Sequence, residues 1–134
     1  MTDIKSIEGI GDVYKSKLGE QGITTVDQIL EKGATPAGRK ELAESTGISP
    51  KLILEWVNLA DLFRVKGLGE EYSDLLEEAG VDTVVELAQR NPANLHAKLI
   101  EVNEAKKLVR RLPGLSNVED WVAQAKKLDR AVFY

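Results

Sequence analysis

Apolar residues recur along this chain at three- and four-residue intervals, in two successive series. In the first, Ile4 and Ile7 precede Gly9-Ile10-Gly11, and Val13, Tyr14 and Leu18 follow it at helical spacing, with Gly22 as the stop. Thr25-Val26-Asp27-Gln28 reads as a capping box that opens a short helix carrying Ile29 and Leu30. Thr35-Pro36 starts the next helix, with Thr as cap and Pro at the first helical position, and Gly47 ends it. Ser49-Pro50 opens the longest predicted helix, roughly 50–64, where Leu52, Ile53, Trp56, Val57, Ala60 and Phe63 form a broad apolar stripe.

The second series repeats the first. Val65-Lys66-Gly67-Leu68-Gly69 lies 58 residues after Ile7-Glu8-Gly9-Ile10-Gly11. In the same register Tyr14 maps to Tyr72, Leu18 to Leu76, Gly22 to Gly80, Thr25 to Thr83 and Ile29 to Leu87. That is a duplication. Thr83-Val84-Val85-Glu86 reads as a second capping box, and Asn91-Pro92 opens a helical region with Leu95, Leu99 and Ile100 inward. Asn103 is expected to cap a further short helix through Leu108 and Val109. Ser116-Asn117-Val118-Glu119 reads as a third capping box, before a helix carrying Trp121, Val122, Ala125 and Leu128. Trp56 and Trp121 sit in equivalent helices but 65 residues apart, so the second unit carries a seven-residue insertion between 91 and 116. The pattern predicts an all-α protein of two tandem units, 1–63 and 64–134, each of about five short helices, with the second docked on the first. Only Ala131-Val132-Phe133-Tyr134 hints at a strand.

Two glycines one residue apart permit a tight turn in backbone conformations closed to other residues. The apolar residue between them, Ile10 or Leu68, can point inward and pin the turn, and the next residue starts a helix whose N–H groups welcome an anion. This resembles the helix-hairpin-helix motif, whose role is to hold a nucleic-acid phosphate without reading sequence. Each unit adds a degenerate version, Gly47-Ile48-Ser49 and Gly114-Leu115-Ser116. Paired hairpins joined by a connector resemble the SAM-like fold, and Leu18 to Leu62 is similar to the C-terminal domain of the bacterial RNA polymerase α subunit. Leu112-Pro113-Gly114-Leu115 is similar to the hairpin of base-excision glycosylases, but Ser116 stands where those have Gly. The whole chain looks most like DUF4332, a family of uncharacterised prokaryotic proteins. The resemblance rests on Gly9 to Gly11, Thr46 to Ser49, Trp56 to Leu62 and Asn94 to Lys98. It implies the fold and carries no activity.

Composition narrows the chemistry. The 134 residues hold no cysteine, which excludes disulfides, thiolate metal sites and Cys nucleophiles. His96 is the only histidine and has no partner ligand in sequence, so no metal site and no cofactor are expected. No nucleophile–base set or Walker motif is present, and an enzyme is not expected. Residues 1–6 lack the apolar core of a signal peptide and no run is long enough to span a membrane, so a soluble, cytoplasmic protein is the expectation; a monomer is favoured, with the oligomeric state left open.

Net charge is −4 but unevenly spread. Residues 66–89 hold one lysine against seven acids, a local −6, whereas 90–111 hold six basic residues against two acids, a local +4. Phosphate binding works through a patch, not through average charge. The spacing of Lys106, Lys107, Arg110 and Arg111 places all four along one helical face. The functional expectation is a non-catalytic, sequence-nonspecific nucleic-acid-binding protein. Gly9, Ile10, Gly11, Gly67, Leu68 and Gly69 form its phosphate turns, and Lys15, Lys17, Lys106, Lys107, Arg110 and Arg111 supply attraction. Duplex DNA or another nucleic acid, held weakly through its phosphates, is the expected partner. Glu70, Glu71 and Asp74 weaken the second turn for this purpose. The alternative is a protein-interaction adaptor, motivated by the charge asymmetry and the apolar Val132-Phe133-Tyr134 stretch. Tyr14, Tyr72, Trp56 and Trp121 read as core anchors.

Overall fold

The computed structural model describes residues 2–134; Met1, which opens the first unit read from sequence, lies outside them. The architecture is all-α. Among the described residues a 3₁₀ turn, Ile4–Ser6, precedes eight helices: α1 Asp12–Gly19, α2 Val26–Lys32, α3 Pro36–Thr46, α4 Pro50–Leu62, α5 Gly69–Glu78, α6 Val84–Ala88, α7 Pro92–Lys106 and α8 Leu115–Lys126. They fall into two compact units, Met1–Asp61 with Ala131–Tyr134, and Leu62–Arg130.

In the first unit the caps expected from sequence form. Thr25 accepts the Gln28 amide at 3.2 Å while the Gln28 side chain accepts the Thr25 amide at 3.1 Å, a complete capping box. Thr35 accepts the Gly38 amide at 3.1 Å with Pro36 beside it, and Gly47, at φ +73°, closes α3. Gly22 turns the chain at φ +79°, so that the Ile23 amide returns to the Leu18 carbonyl at 3.0 Å. Ile4, Ile7, Leu18, Ile29, Leu42, Ile53, Trp56 and Val57 are all buried, each 1% exposed or less. Burying one aliphatic side chain of this kind contributes roughly 1.5–3 kcal/mol.

Residues 131–134, read from sequence as the end of the second unit, belong to the first. No strand forms there. The Phe133 amide donates to the Ala34 carbonyl at 2.8 Å, Arg39 Nη2 donates to the Phe133 carbonyl at 2.7 Å, and Val132 is buried. A four-residue stretch cannot supply its own hydrogen-bond partners, so it takes them from the α2–α3 connection and from α3.

The second unit is built around Leu75, Leu76, Val81, Val84, Leu87, Leu95, Leu99, Val118, Trp121 and Val122. α8 packs on α6 and α7, and α7 on α5. Asn91 caps α7 through the Asn94 amide at 3.0 Å, with Pro92 in the first turn. Gly80, at φ +93°, repeats the Gly22 turn, and the Val81 amide reaches the Leu76 carbonyl at 2.9 Å.

Three expectations for this unit change. Thr83 precedes α6, but its hydroxyl donates to the Glu86 carboxylate instead of accepting a backbone amide. α8 starts at Leu115, ahead of the box expected at Ser116; the Asn117 side chain accepts the Gly114 amide at 2.9 Å and fixes the start there. Asn103 caps no new helix. It lies in the last turn of α7, and its side chain grips Val109 twice, accepting the amide at 3.0 Å and donating to the carbonyl at 3.2 Å. That clamp buries Val109 and holds 107–109 out of helical conformation.

Candidate nucleic-acid interface

The two glycine turns are alike in outline. The Ile10 amide closes the first onto the Ile7 carbonyl at 3.2 Å, and the Leu68 amide closes the second onto Val65 at 3.3 Å. Ile10 and Leu68 point inward, 4% and 2% exposed, as their apolar character requires. Gly9 and Gly67 adopt φ +94° and +88°, where a side chain is strained. All four turn glycines are exposed.

Beneath each turn lies a tryptophan. A Cβ built on Gly9 would stand 3.3 Å from Trp56 Nε1, and one on Gly67 would stand 3.8 Å from Trp121 Nε1. Tyr14 packs on Trp56 with ring centres 5.0 Å apart, and Tyr72 on Trp121 at 5.2 Å. Both tryptophans are buried, so the two indoles are core anchors and offer no stacking face to a base, while Tyr14 and Tyr72 are half-buried.

The second glycines differ. Gly69 takes φ +65° as the first residue of α5. Gly11 takes φ −91° as the residue before α1, and a Cβ there would meet nothing within 4 Å. Three of the four glycines are therefore required by the fold, and Gly11 is not. No side chain caps α1 or α5 at these turns. The first amides of a helix have no intrahelical acceptor, so each turn presents an open donor end.

The charges around the two ends differ. At the first, Lys5 pairs with Asp12 at 2.8 Å and Lys15 with Asp3 at 3.1 Å. The Lys5 ammonium, bonded to the carboxylate, holds Asp12 below its ordinary pKa. The Lys5 amide, then the Lys15 ammonium, do the same for Asp3. Lys15 is thus committed within the fold, while Lys17 is exposed. At the second, Glu70 and Glu71 occupy the first turn of α5, and Ser73 donates to the Gly69 carbonyl at 2.7 Å. Those acids stabilise the helix end themselves.

The basic cluster does not share a helical face. α7 ends at Lys106; Lys107 follows in the left-handed region at φ 51°, and Arg110 and Arg111 lie beyond the Asn103–Val109 clamp. Lys106 forms an ion pair with Glu78, which raises its pKa, and Glu77 and Asp74 add to the shift. Asp74, Glu77 and Glu78 bring carboxylate oxygens within 4.8 Å of one another, so the charge of Lys106 is spent on them. Arg110 and Arg111 are exposed, and the Arg111 carbonyl accepts the Tyr72 hydroxyl at 2.9 Å.

Of the degenerate turns, Gly47-Ile48-Ser49 keeps the inward apolar residue, with Ile48 3% exposed. Gly114-Leu115-Ser116 does not: Leu115 opens α8 and is 42% exposed. His96 lies near this loop, Nε2 3.0 Å from the Pro113 carbonyl.

Sequence reasoning passed over Arg39, Asn58 and Asp61, all buried. Arg39 is legible in retrospect, since it stands three residues before Leu42 on the apolar side of α3. With Lys40, Lys51, Pro36, Pro50 and Leu54 it lines a groove of about 430 Å³ that holds no acid.

No helix among the described residues is long and apolar enough to cross a membrane. No solved structure matches the chain. A domain of unknown function, DUF4332, matches residues 8–128. With that match spanning both glycine turns and both Tyr–Trp pairs, the chain belongs to the DUF4332 family.

Proposed function

We propose that this protein is a non-catalytic, sequence-nonspecific nucleic-acid-binding protein of helix-hairpin-helix type, and that its first glycine turn is the phosphate contact. The observation that carries the proposal is Gly11: exposed, before an uncapped helix, and glycine where the fold demands none. A glycine without a conformational or steric reason lets another molecule approach the backbone closely. The N–H groups of Gly11, Asp12 and Val13 would then meet a phosphate oxygen at the positive end of α1. Asp12, paired with Lys5, presents less free negative charge than Glu70 and Glu71 do at the second turn. Lys17, exposed on α1, supplies attraction at longer range, and the second unit by itself exposes Lys107, Arg110 and Arg111. Gly67-Leu68-Gly69 is a structural turn in this reading.

The net charge of −4 makes the binding weak, about 10⁻⁴ M or worse at physiological salt. The test is a titration of isotope-labelled protein with a short DNA duplex at low and then moderate salt, following backbone amides. Movement of Gly9, Gly11 and Asp12 that fades with salt supports the proposal. Stationary amides at low salt refute it and transfer the turns to the adaptor reading. The adaptor reading rests on the charge asymmetry and on the exposed Phe133 and Tyr134.

A further inference from the structure

The segment 131–134 is held the way a bound peptide is held. Its backbone is read at one residue from both sides: the Phe133 amide donates to the Ala34 carbonyl at 2.8 Å, and the Phe133 carbonyl accepts Arg39 Nη2 at 2.7 Å. Its side chains are read at alternate positions. Val132 fills a hole and is 1% exposed, while the Tyr134 hydroxyl donates to Asn58 Oδ1 at 3.2 Å, with the Arg39 guanidinium 5.9 Å from the centre of the Tyr134 ring. Backbone pairing with alternate side-chain pockets is the logic of extended-peptide recognition.

The receiving residues are prepared in advance. Arg39 is 7% exposed and Asn58 8%, and Arg39 Nη1 is fixed to the Gly33 carbonyl at 2.8 Å. The other guanidinium nitrogen therefore stays aimed at residue 133 whichever chain supplies it. If the segment leaves, a buried guanidinium N–H and the Val132 hole lose their partners, and an empty slot is costly. The segment itself lies at the surface except for Val132. Phe133 and Tyr134 stay 48% and 62% exposed, and irregular residues 127–130 precede the segment. Such a segment opens locally without global unfolding.

We propose that the first unit carries a recognition slot for an extended Val-Phe-Tyr segment, filled within the chain by residues 131–134 and open to the same segment of a second copy. The contacts described above are made by residues 132–134, so an exchanged segment reproduces them, and self-association follows by segment exchange. The slot takes neutral groups and an aromatic ring, so this association persists in salt. It stands independently of the nucleic-acid reading.

The experiment uses two full-length variants. Val132→Asp disables the segment and keeps the slot; Arg39→Ala disables the slot and keeps the segment. Unlabelled Arg39→Ala chain is titrated into labelled Val132→Asp chain at low and at 0.5 M salt (roughly a 3–5 Å screening length). The expected result is a saturable shift of the Thr35 amide and the Asn58 side-chain amide, with a heterodimer mass in sedimentation at both salts. Where Val132→Asp is unfolded alone, the expected result is recovery of its first-unit amide signals on mixing. A donor carrying both substitutions gives neither. Absence of shift, of dimer and of recovery at millimolar donor overturns the proposal. So does an equal response to the doubly substituted donor.

Discussion

Trp56 lies so close under Gly9 that a Cβ on residue 9 would come within 3.3 Å of its indole nitrogen. Gly9 is also at φ +94°, so two independent constraints meet at one glycine. The second unit repeats the pair with Trp121 and Gly67, but at 3.8 Å, where a Cβ is in ordinary contact. Gly9→Ala is expected to destabilise the first unit by about 2–3 kcal/mol, combining left-handed strain with displacement of a packed ring. Gly67→Ala is expected to cost about 1–2 kcal/mol, the strain alone. Hydrogen exchange resolved by unit measures both, and equal costs would contradict the account.

The first unit depends on residues that follow the second in sequence. Val132→Ala removes two buried methyl groups and is expected to cost about 2 kcal/mol. The loss falls on amides such as Val57 and Ile29, while Leu76 and Leu99 keep their protection. Loss of protection in the second unit instead would show that 131–134 had been placed in the wrong unit.

Asn103 holds Val109 by both backbone groups. Asn103→Ala leaves a partly buried amide and carbonyl without partners and is expected to destabilise the second unit by about 2 kcal/mol. Asn103→Asp keeps the acceptor but sets a carboxylate oxygen against the Val109 carbonyl at the negative end of α7, so it is expected to cost at least as much. Chemical denaturation of the two variants beside wild type checks the order.

Acid sensitivity has a definite sign. Asp3 and Asp12 both have folded pKa values lowered from 3.8, Asp12 first by its hydrogen bond with Lys5. The stability they contribute is complete above the unfolded carboxylate value and is lost as pH falls through the lowered folded values. Lys5→Ala is expected to return the Asp12 midpoint to the ordinary carboxylate range. It also shifts Asp3, less, through the smaller Lys5 charge effect. Side-chain carboxyl NMR titration reads both midpoints, and an unmoved Asp12 would show that Lys5 is not its partner in solution.

Much of the fold was legible because its signals are local. Thr25, Thr35 and Asn91 cap within three residues, and Gly22, Gly47 and Gly80 turn the chain by their own φ. The inward Ile10 and Leu68 followed from the glycine turns, and the buried Trp56 and Trp121 from their helical spacing, whereas the pairing of each with a tyrosine did not. What was missed is tertiary. The spacing of Lys106, Lys107, Arg110 and Arg111 describes one helical face only if the helix continues, and Asn103 ends it by gripping Val109. Arg39 finds its carbonyl partner 94 residues away, a pairing no local pattern carries. At the candidate site, the glycines could be read from sequence. That Gly11 alone has no structural reason required the backbone angles and the space around each Cα.

That distinction supplies the sharpest prediction. Gly11→Ser places a hydroxyl at the residue before α1, where it can accept an amide of the first turn. Stability is expected to hold or rise by a few tenths of a kcal/mol. Nucleic-acid binding is expected to fall, because the hydroxyl occupies donors a phosphate would use and bars close approach.

The decisive measurement is therefore the amide titration with a short DNA duplex at low salt, run on wild type and Gly11→Ser side by side. The account predicts saturable, salt-sensitive shifts of Gly9, Gly11 and Asp12 in wild type. It predicts none at the corresponding amides of an equally stable Gly11→Ser chain. Stationary amides in wild type, or a variant that binds as wild type does, would contradict it.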